Sequence, residues 1–124
     1  MSKSSPGPRS EPDPRRALGA RGERAAAHWY EAHGFTVVDR NWRRREGEID
    51  LVVQRGRVLV FCEVKARSSA RFGMPFEAVT RTKQLRLRRL AALWLAEHAV
   101  RGLEVRFDVA SVSGATVEVI EAAF

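Results

Sequence analysis

The chain has 124 residues, of which 44% are hydrophobic and 30% charged, and its formal net charge is +7. This balance predicts one small globular core and excludes a collagen-like or wholly disordered chain. The longest run without a polar residue, Leu90 to Ala96, is too short to span a bilayer, and the single cysteine excludes an internal disulfide. With no signal-peptide pattern, the sequence predicts a cytoplasmic protein without a membrane partner.

The positive charge is concentrated in two segments of the sequence. The first contains Arg40 and Arg43 to Arg45, the second runs from Arg81 to Arg89, and the rest of the chain is slightly acidic. Clustered cations on a nearly neutral body are typical of a protein that binds nucleic acid, because each one displaces a counterion from a phosphate. The residues predicted to contact nucleic acid are Arg43, Arg44, Arg45, Arg81, Lys83, Arg86 and Arg89.

The N-terminal residues are rich in proline and lack large apolar side chains, which predicts a disordered tail over 1–13 and a folded domain over 14–124. Asp13 followed by Pro14 is typical of a helix N-terminus, and Gly34 of the residue just past a helix end. The spacing of apolar residues therefore predicts a helix over 14–33.

From Phe35 the apolar period changes to two, which predicts strands over 35–42, 48–54 and 57–66, separated by a basic turn at 43–47 and a tight turn at 55–56. A loop over 67–75, a helix over 76–100 and two strands, 104–112 and 116–120, complete the chain. The predicted fold is α/β with the order αβββαββ, in which a mixed central sheet carries one helix on each face.

The second and third strands bring acidic residues together. Alternation places Leu59, Phe61, Glu63 and Lys65 on one face of the third strand, and pairing about the 55–56 turn sets Asp50 diagonally across from Glu63, within about 7 to 8 Å. Carboxylates crowded in this way favour a hard divalent cation, Mg²⁺ or in its place Mn²⁺. The ammonium of Lys65 can then orient a water or stabilise the charge of a transition state. An isolated Glu-x-Lys triplet is more often a surface ion pair.

Three further features have two readings each. Lys83 lies four residues before Leu87, so it either extends the apolar stripe of the second helix as a snorkelling side chain or contacts a phosphate or carboxylate. Trp42 fits core packing better than stacking on an exposed base. Gly19 and Gly22 can let the first helix approach another backbone closely, either that of the protein or that of a nucleic acid.

Several segments together resemble the YraN family of uncharacterised bacterial proteins, which is itself similar to the PD-(D/E)XK nuclease superfamily and to archaeal Holliday junction resolvases. The resemblance spans about Ala17 to Phe124, and its segments are Gly22-Glu23, Gly47 to Leu51, Val60 to Arg67, Phe72 to Pro75, Lys83 and Phe107 to Val109.

The resemblance implies catalytic roles for Glu23, Asp50, Glu63 and Lys65. It also implies a metal site formed by Asp50, Glu63 and the carbonyl of Val64. Two positions depart from the family pattern, since Ile49 replaces the proline that gives the superfamily its name and Cys62 replaces a more usual valine.

These observations lead to two hypotheses. The first is a Mg²⁺-dependent endonuclease that hydrolyses phosphodiester bonds in DNA, with branched or single-stranded DNA as the expected substrate. The alternative is a nucleic-acid-binding module without turnover that acts as a subunit or recruiter. The sequence leaves open whether the chain forms a homodimer.

Overall fold

The structure, a computed structural model, describes residues 13–67 and 79–124. These residues form two helices and five strands: α1 (Pro14–Ala32), β1 (Thr36–Arg44), β2 (Gly47–Arg55), β3 (Val58–Arg67), α2 (Arg81–Glu97), β4 (Glu104–Ser113) and β5 (Thr116–Ile120). The predicted αβββαββ order is therefore confirmed. None of the described helices is long and apolar enough to cross a membrane.

The five strands form one mixed sheet in the order β1-β2-β3-β4-β5. All neighbouring strands are antiparallel except β3 and β4, which are parallel over ten paired positions from Val58–Glu104 to Arg67–Ser113. Parallel neighbours need a crossover connection, and α2 lies within that connection. The C-terminal ends of β3 and β4 therefore lie side by side at one edge of the sheet.

Each face of the sheet carries its own apolar cluster, as predicted. Under α1, the residues Ala26, Tyr30 and Phe35 pack against Leu51, Val53, Val60, Cys62, Ala110 and Val112. Under α2, the residues Leu90, Ala91 and Trp94 pack against Trp42, Ile49, Val52, Leu59, Phe61 and Phe107. The central strands are buried on both faces, which explains the apolar runs Leu51 to Val53 in β2 and Val58 to Cys62 in β3.

The ends of α1 follow the local sequence closely. The Asp13 side chain accepts a hydrogen bond from the Arg15 backbone N–H, and Pro14 occupies the first helical turn, where its missing N–H leaves no bond unmade. Gly34 has a φ of +87°, which confirms its predicted place just after the helix. The helix itself ends at Ala32.

The β2–β3 hairpin differs from its prediction by two residues of register. Arg55 pairs with Val58 and Leu51 with Cys62, so the two-residue turn is Gly56–Arg57 and not Arg55–Gly56. Gly56 has a φ of +58°, and a glycine at the first central position of a two-residue turn suits the twist of the flanking strands. The ladder ends at the Leu51–Cys62 pair, so Asp50 and Glu63, the next residues of their strands, are not paired in it.

Two further boundaries were predicted wrongly. The basic turn is shorter than 43–47, because Arg43 and Arg44 belong to β1, whose pairing with β2 continues to Arg44–Gly47. The second helix begins at Arg81, after Thr80, whose hydroxyl accepts a hydrogen bond from the Lys83 N–H, and it ends at Glu97 instead of Val100. Residues 76–78 of that predicted helix, most of the predicted 67–75 loop and the first twelve residues lie outside the described residues.

Asp108 is fully buried in β4 and forms a saturated polar network. It accepts hydrogen bonds from the Tyr30 hydroxyl (2.6 Å), from two guanidinium nitrogens of Arg106 (2.9 Å each) and from the Ala122 N–H (3.0 Å). Burial raises the pKa of Tyr30, so its hydroxyl remains a donor. The network ties α1 to β4 and to the C-terminal segment, which gives Asp108 a structural role.

Candidate metal centre and basic surface

The candidate site lies at a fork between β2 and β3. Their ladder ends at the Leu51–Cys62 pair, whereas β2 begins at Gly47 and β3 continues to Arg67. Asp50 fills the start of this gap, because its Oδ2 accepts a hydrogen bond of 2.8 Å from the Val64 N–H. A carboxylate thus takes the place of the next backbone pair at the point where the ladder ends.

Three carboxylates converge on the β2 side of the fork. Glu23 from α1 and Glu48 and Asp50 from β2 each have an oxygen within 4.8 Å of the oxygens of the other two, and all three residues are half-buried. These three residues are called the carboxylate cluster below. Hard divalent cations bind oxygen ligands of this kind, so the donor set of the cluster fits Mg²⁺ or Mn²⁺.

Crowding and burial change the acidity of the cluster. Burial is the largest effect on Asp50 and raises its pKa from the ordinary 3.8 to about 7; the Val64 N–H opposes the change, and the charges of Glu23, Glu48 and Glu63 add to it. Burial also raises the pKa of Glu23. A hydrogen bond from Asn41 partly offsets this increase, and the charge of Glu48 adds to it. Carboxylates held together at such a cost are typical of functional and metal sites.

The convergence of the cluster depends on a break in the alternation of β2. Ile49 packs in the apolar cluster under α2, but Leu51, two residues later, packs in the one under α1. Regular alternation would place both on one face, so it is interrupted at Asp50. In β1, Asn41 between the paired Arg40 and Trp42 has a φ of +49°, a conformation that asparagine tolerates better than most residues.

Glu48 and Asn41 are the residues of this site to which the sequence assigns no catalytic or metal-binding role. Glu48 shares a strand face with Asp50 and belongs to the crowded group of Glu23, Asp50 and Glu63, but the family resemblance assigns the metal to Asp50 and Glu63. An asparagine within an otherwise β-branched and basic strand was the signal for the irregular backbone at position 41.

Glu63 lies on the other side of the fork, between two lysines. Its Oε2 is 3.7 Å from Nζ of Lys65 and 3.9 Å from Nζ of Lys83, which reaches the sheet from the first turn of α2. Among the described residues, Glu63 does not join the group of carboxylates within 4.8 Å, although its charge contributes to the raised pKa of Asp50. The Glu63 side chain is 16% exposed and that of Lys65 20%, so this ion pair is shielded from solvent.

Gly22 sets the distance between α1 and β3. A Cβ atom at this position would lie 2.7 Å from the Cβ of Ala66 and 3.6 Å from a methyl of Val64. Only glycine allows this approach, and Glu23 is the next residue of the helix. The predicted close approach is therefore confirmed at Gly22, whereas a Cβ at Gly19 would meet no atom of the described residues within 4 Å.

The two basic segments of the sequence are neighbours in the structure. A Cβ at Gly47, just after the β1–β2 turn, would lie 3.3 Å from Cδ of Arg86 in α2. The turn with Arg45 is thus adjacent to the middle of α2. Six exposed cations of the two segments are called the basic surface below: Arg43, Arg45, Arg81, Lys83, Arg86 and Arg89.

Three arginines of these segments make contacts within the chain. Nε of Arg43 lies 3.4 Å from Oε2 of Glu48 in the carboxylate cluster. Arg44 donates hydrogen bonds to both carboxylate oxygens of Glu97 and lies 4.3 Å above the Trp42 ring, while Arg88 lies 4.8 Å above the Phe107 ring. Trp42 is 7% exposed, so it belongs to the core and not to a stacking surface. Arg44, one of the residues predicted to bind nucleic acid, is therefore engaged in a tertiary contact between β1 and α2.

Comparison with known proteins identifies relatives over most of the chain. The model of the uncharacterised protein family UPF0102 matches residues 22–112, which contain the carboxylate cluster, Glu63 and both lysines. UPF0102 proteins of Beutenbergia cavernae and Frankia casuarinae are 62% and 59% identical to this chain, over 77% and 78% of it and 81% and 82% of their own lengths. A UPF0102 protein of Acidothermus cellulolyticus is 43% identical over 89% of this chain and 95% of its own.

Proposed function

We propose that this chain, which belongs to the uncharacterised protein family UPF0102, is a metal-dependent endonuclease that hydrolyses phosphodiester bonds in DNA. The observation that carries the proposal is the carboxylate cluster at the β2–β3 fork, beside a shielded lysine and a basic surface. Oxygen ligands, a lysine and clustered arginines are the groups that metal-assisted phosphodiester hydrolysis uses. The αβββαββ fold agrees with the resemblance to PD-(D/E)XK nucleases.

In this proposal the chain holds Mg²⁺, or Mn²⁺ in its place, through Asp50 and its neighbours. Glu23, Glu48 and Asp50 offer the converging oxygens, and Glu63 and the Val64 carbonyl are proposed as further ligands. A bound divalent cation supplies Lewis-acid stabilisation of phosphate and lowers the pKa of a coordinated water. The Val64 N–H fixes one oxygen of Asp50, so that the other remains available.

Lys65 is the proposed catalytic lysine. Its Nζ lies 3.7 Å from Oε2 of Glu63. A compact ammonium can hold a water or stabilise the charge that develops on the phosphate. Lys83 contacts the same Glu63 oxygen but is about half exposed, which suits a phosphate contact at the start of the basic surface. The two lysines are thus assigned different tasks although they share one partner.

A binding module without turnover remains the second candidate, because one observation favours it. Glu63 is paired with both lysines and does not join the carboxylate cluster among the described residues. If this pairing persists when metal and DNA are present, Lys65 is not available for catalysis and the basic surface is left as the functional feature.

Incubation of the purified chain with linear, single-stranded, flapped and four-way DNA, in Mg²⁺, Mn²⁺ or EDTA, separates the two candidates. We expect cleavage with metal and none in EDTA. Lys65→Ala should reduce cleavage by about 10² to 10³, as is typical when a group stabilising the transition state is removed, while DNA affinity changes only a few fold.

Lys83→Ala is the matched control, because it also removes one lysine from the same Glu63 oxygen. It should lower cleavage by less than about tenfold, since one phosphate contact among several is a small part of the binding free energy. DNA binding without cleavage of any substrate would favour the binding module, and equal losses in both variants would refute the specific role of Lys65.

A further inference from the structure

A cavity of about 390 Å³ lies between the first half of α1 and the C-terminal ends of β3 and β4. Its size falls within the roughly 300 to 1,000 Å³ that are usual for small-molecule sites. Leu18 of α1 and Val112 of β4 give it apolar walls, and Arg21, Gly22, Ala66 and Arg67 also line it. None of these residues was singled out as a ligand-binding residue by the sequence.

The cavity adjoins the candidate metal centre. Gly22 directly precedes Glu23 of the carboxylate cluster, and Ala66 directly follows Lys65. A Cβ at Gly22 would also lie 3.6 Å from a methyl of Val64, whose N–H donates a hydrogen bond to Asp50 of the cluster, so the cavity and the cluster meet at Gly22 and Val64. A polynucleotide whose phosphate reaches the cluster therefore has its adjoining nucleotide within reach of the cavity.

The lining indicates the chemistry of the occupant. Apolar walls are suited to the faces of a flat ring, and an exposed guanidinium, here that of Arg21, is suited to a phosphate. A phosphate alone would make no favourable contact with Leu18 and Val112, and a purely apolar ligand would make none with Arg21. A nucleotide carries both groups, at the separation that one cavity can accommodate.

We infer that this cavity binds one unpaired nucleotide of the strand to be cut, with its base against Leu18 and Val112 and its phosphate against Arg21. The inference rests on the proposed function and specifies its substrate class. A base stacked in a duplex cannot enter a cavity without being extruded, which costs a few kcal/mol. The nuclease is therefore directed to single-stranded DNA or to the unpaired nucleotides of a branch.

The test is an NMR titration of the full chain with thymidine 5′-monophosphate and with deoxyribose 5-phosphate, in EDTA so that no turnover occurs. The nucleotide should shift the methyl signals of Leu18 and Val112, and the sugar phosphate should bind at least about tenfold more weakly because it lacks the ring. Equal affinity for the two, or shifts confined to α2, would overturn the inference.

Variants assign the contacts. Arg21→Ala should weaken nucleotide binding by about tenfold, whereas Arg24→Ala, an exposed arginine on the same helix outside the cavity lining, should change it less than about twofold. Leu18→Trp should block the cavity and abolish the methyl shift of Val112; if this variant does not fold, the Arg21 and Arg24 pair decides alone. Identical affinities of those two variants would contradict the assignment.

This outcome is separable from that of the proposed function. Nucleotide binding in the cavity of a chain that cuts no DNA would refute the nuclease and leave the cavity assigned. Metal-dependent cleavage without nucleotide shifts at Leu18 and Val112 would refute the cavity and leave the nuclease in place.

Discussion

Replacement of Gly22 by alanine tests whether the contact between α1 and β3 positions the metal centre. In an open helix position this change should stabilise the fold by about 0.5 to 1 kcal/mol, because glycine is a poor helix former. Here the new methyl would lie 2.7 Å from the Cβ of Ala66, an atom fixed by the β3 backbone. The helix must therefore move away from the sheet, at an overpacking cost of about 1 to 3 kcal/mol.

The net expectation for Gly22→Ala is a lower free energy of unfolding, by about 1 to 2 kcal/mol, measured by urea denaturation in EDTA. Because Glu23 moves with the helix, saturating Mg²⁺ should raise the melting temperature less than in the wild type. Gly19→Ala is the matched control on the same helix, because a Cβ there would meet nothing within 4 Å in the part of the chain that the structure describes. It should stabilise the fold by about 0.5 to 1 kcal/mol.

A second change distinguishes steric conflict from other effects of Gly22→Ala. The double variant Gly22→Ala with Ala66→Gly exchanges the methyl group between the two elements, so it should recover part of the Mg²⁺ response. Equal stabilisation by Gly22→Ala and Gly19→Ala, with an unchanged Mg²⁺ response, would refute the close packing on which this reasoning depends.

Three other predictions concern charge. The fold raises the pKa of Asp50 from 3.8 to about 7, so the stability that this carboxyl contributes is present below about pH 4 and lost as pH rises through about 7. In EDTA, the free energy of unfolding of Asp50→Asn should therefore rise by about 2 to 3 kcal/mol relative to that of the wild type between about pH 5 and about pH 8. A difference between the two that stays constant with pH in urea denaturation would contradict this. Charge reversal at Arg45, Arg86 and Arg89 should weaken DNA binding and reduce its salt dependence, measured by fluorescence anisotropy, whereas charge reversal at the exposed Arg101 should change neither. An unchanged salt dependence would show that the basic surface does not bind DNA. Asp108→Ala leaves its partners, above all the Arg106 guanidinium, without their hydrogen-bond acceptor, so the free energy of unfolding should fall by about 3 to 5 kcal/mol. A decrease below about 1 kcal/mol would show that the network contributes little to stability.

Much of this fold is accessible to sequence reasoning because local chemistry and tertiary structure agree. Asp13, Pro14 and Gly34 set the limits of α1 through capping and backbone conformation, and the change of apolar period at Phe35 predicts the start of the sheet. The burial of the central strands on both faces follows from the apolar runs of β2 and β3.

The site is harder to predict because it lies where the regular pattern fails. The hairpin register depends on which two residues form the turn, and the sequence around Gly56 permits either choice. The convergence of Glu48 and Asp50 on Glu23 coincides with an interruption of alternation at Asp50 and a positive φ at Asn41. Periodicity assumes an uninterrupted strand and therefore cannot locate such a break.

The carboxylate cluster is tested most directly by measuring cleavage of single-stranded DNA against Mg²⁺ concentration for the wild type and Asp50→Asn, with Glu118→Gln, an exposed carboxyl on β5, as control. The structure predicts saturable, EDTA-sensitive cleavage in the wild type and the control, and a loss of at least about 10² in Asp50→Asn because a central metal ligand is removed. Cleavage by Asp50→Asn at the rate of the wild type, or no cleavage by the wild type at any Mg²⁺ concentration, would contradict a metal-dependent nuclease at this site.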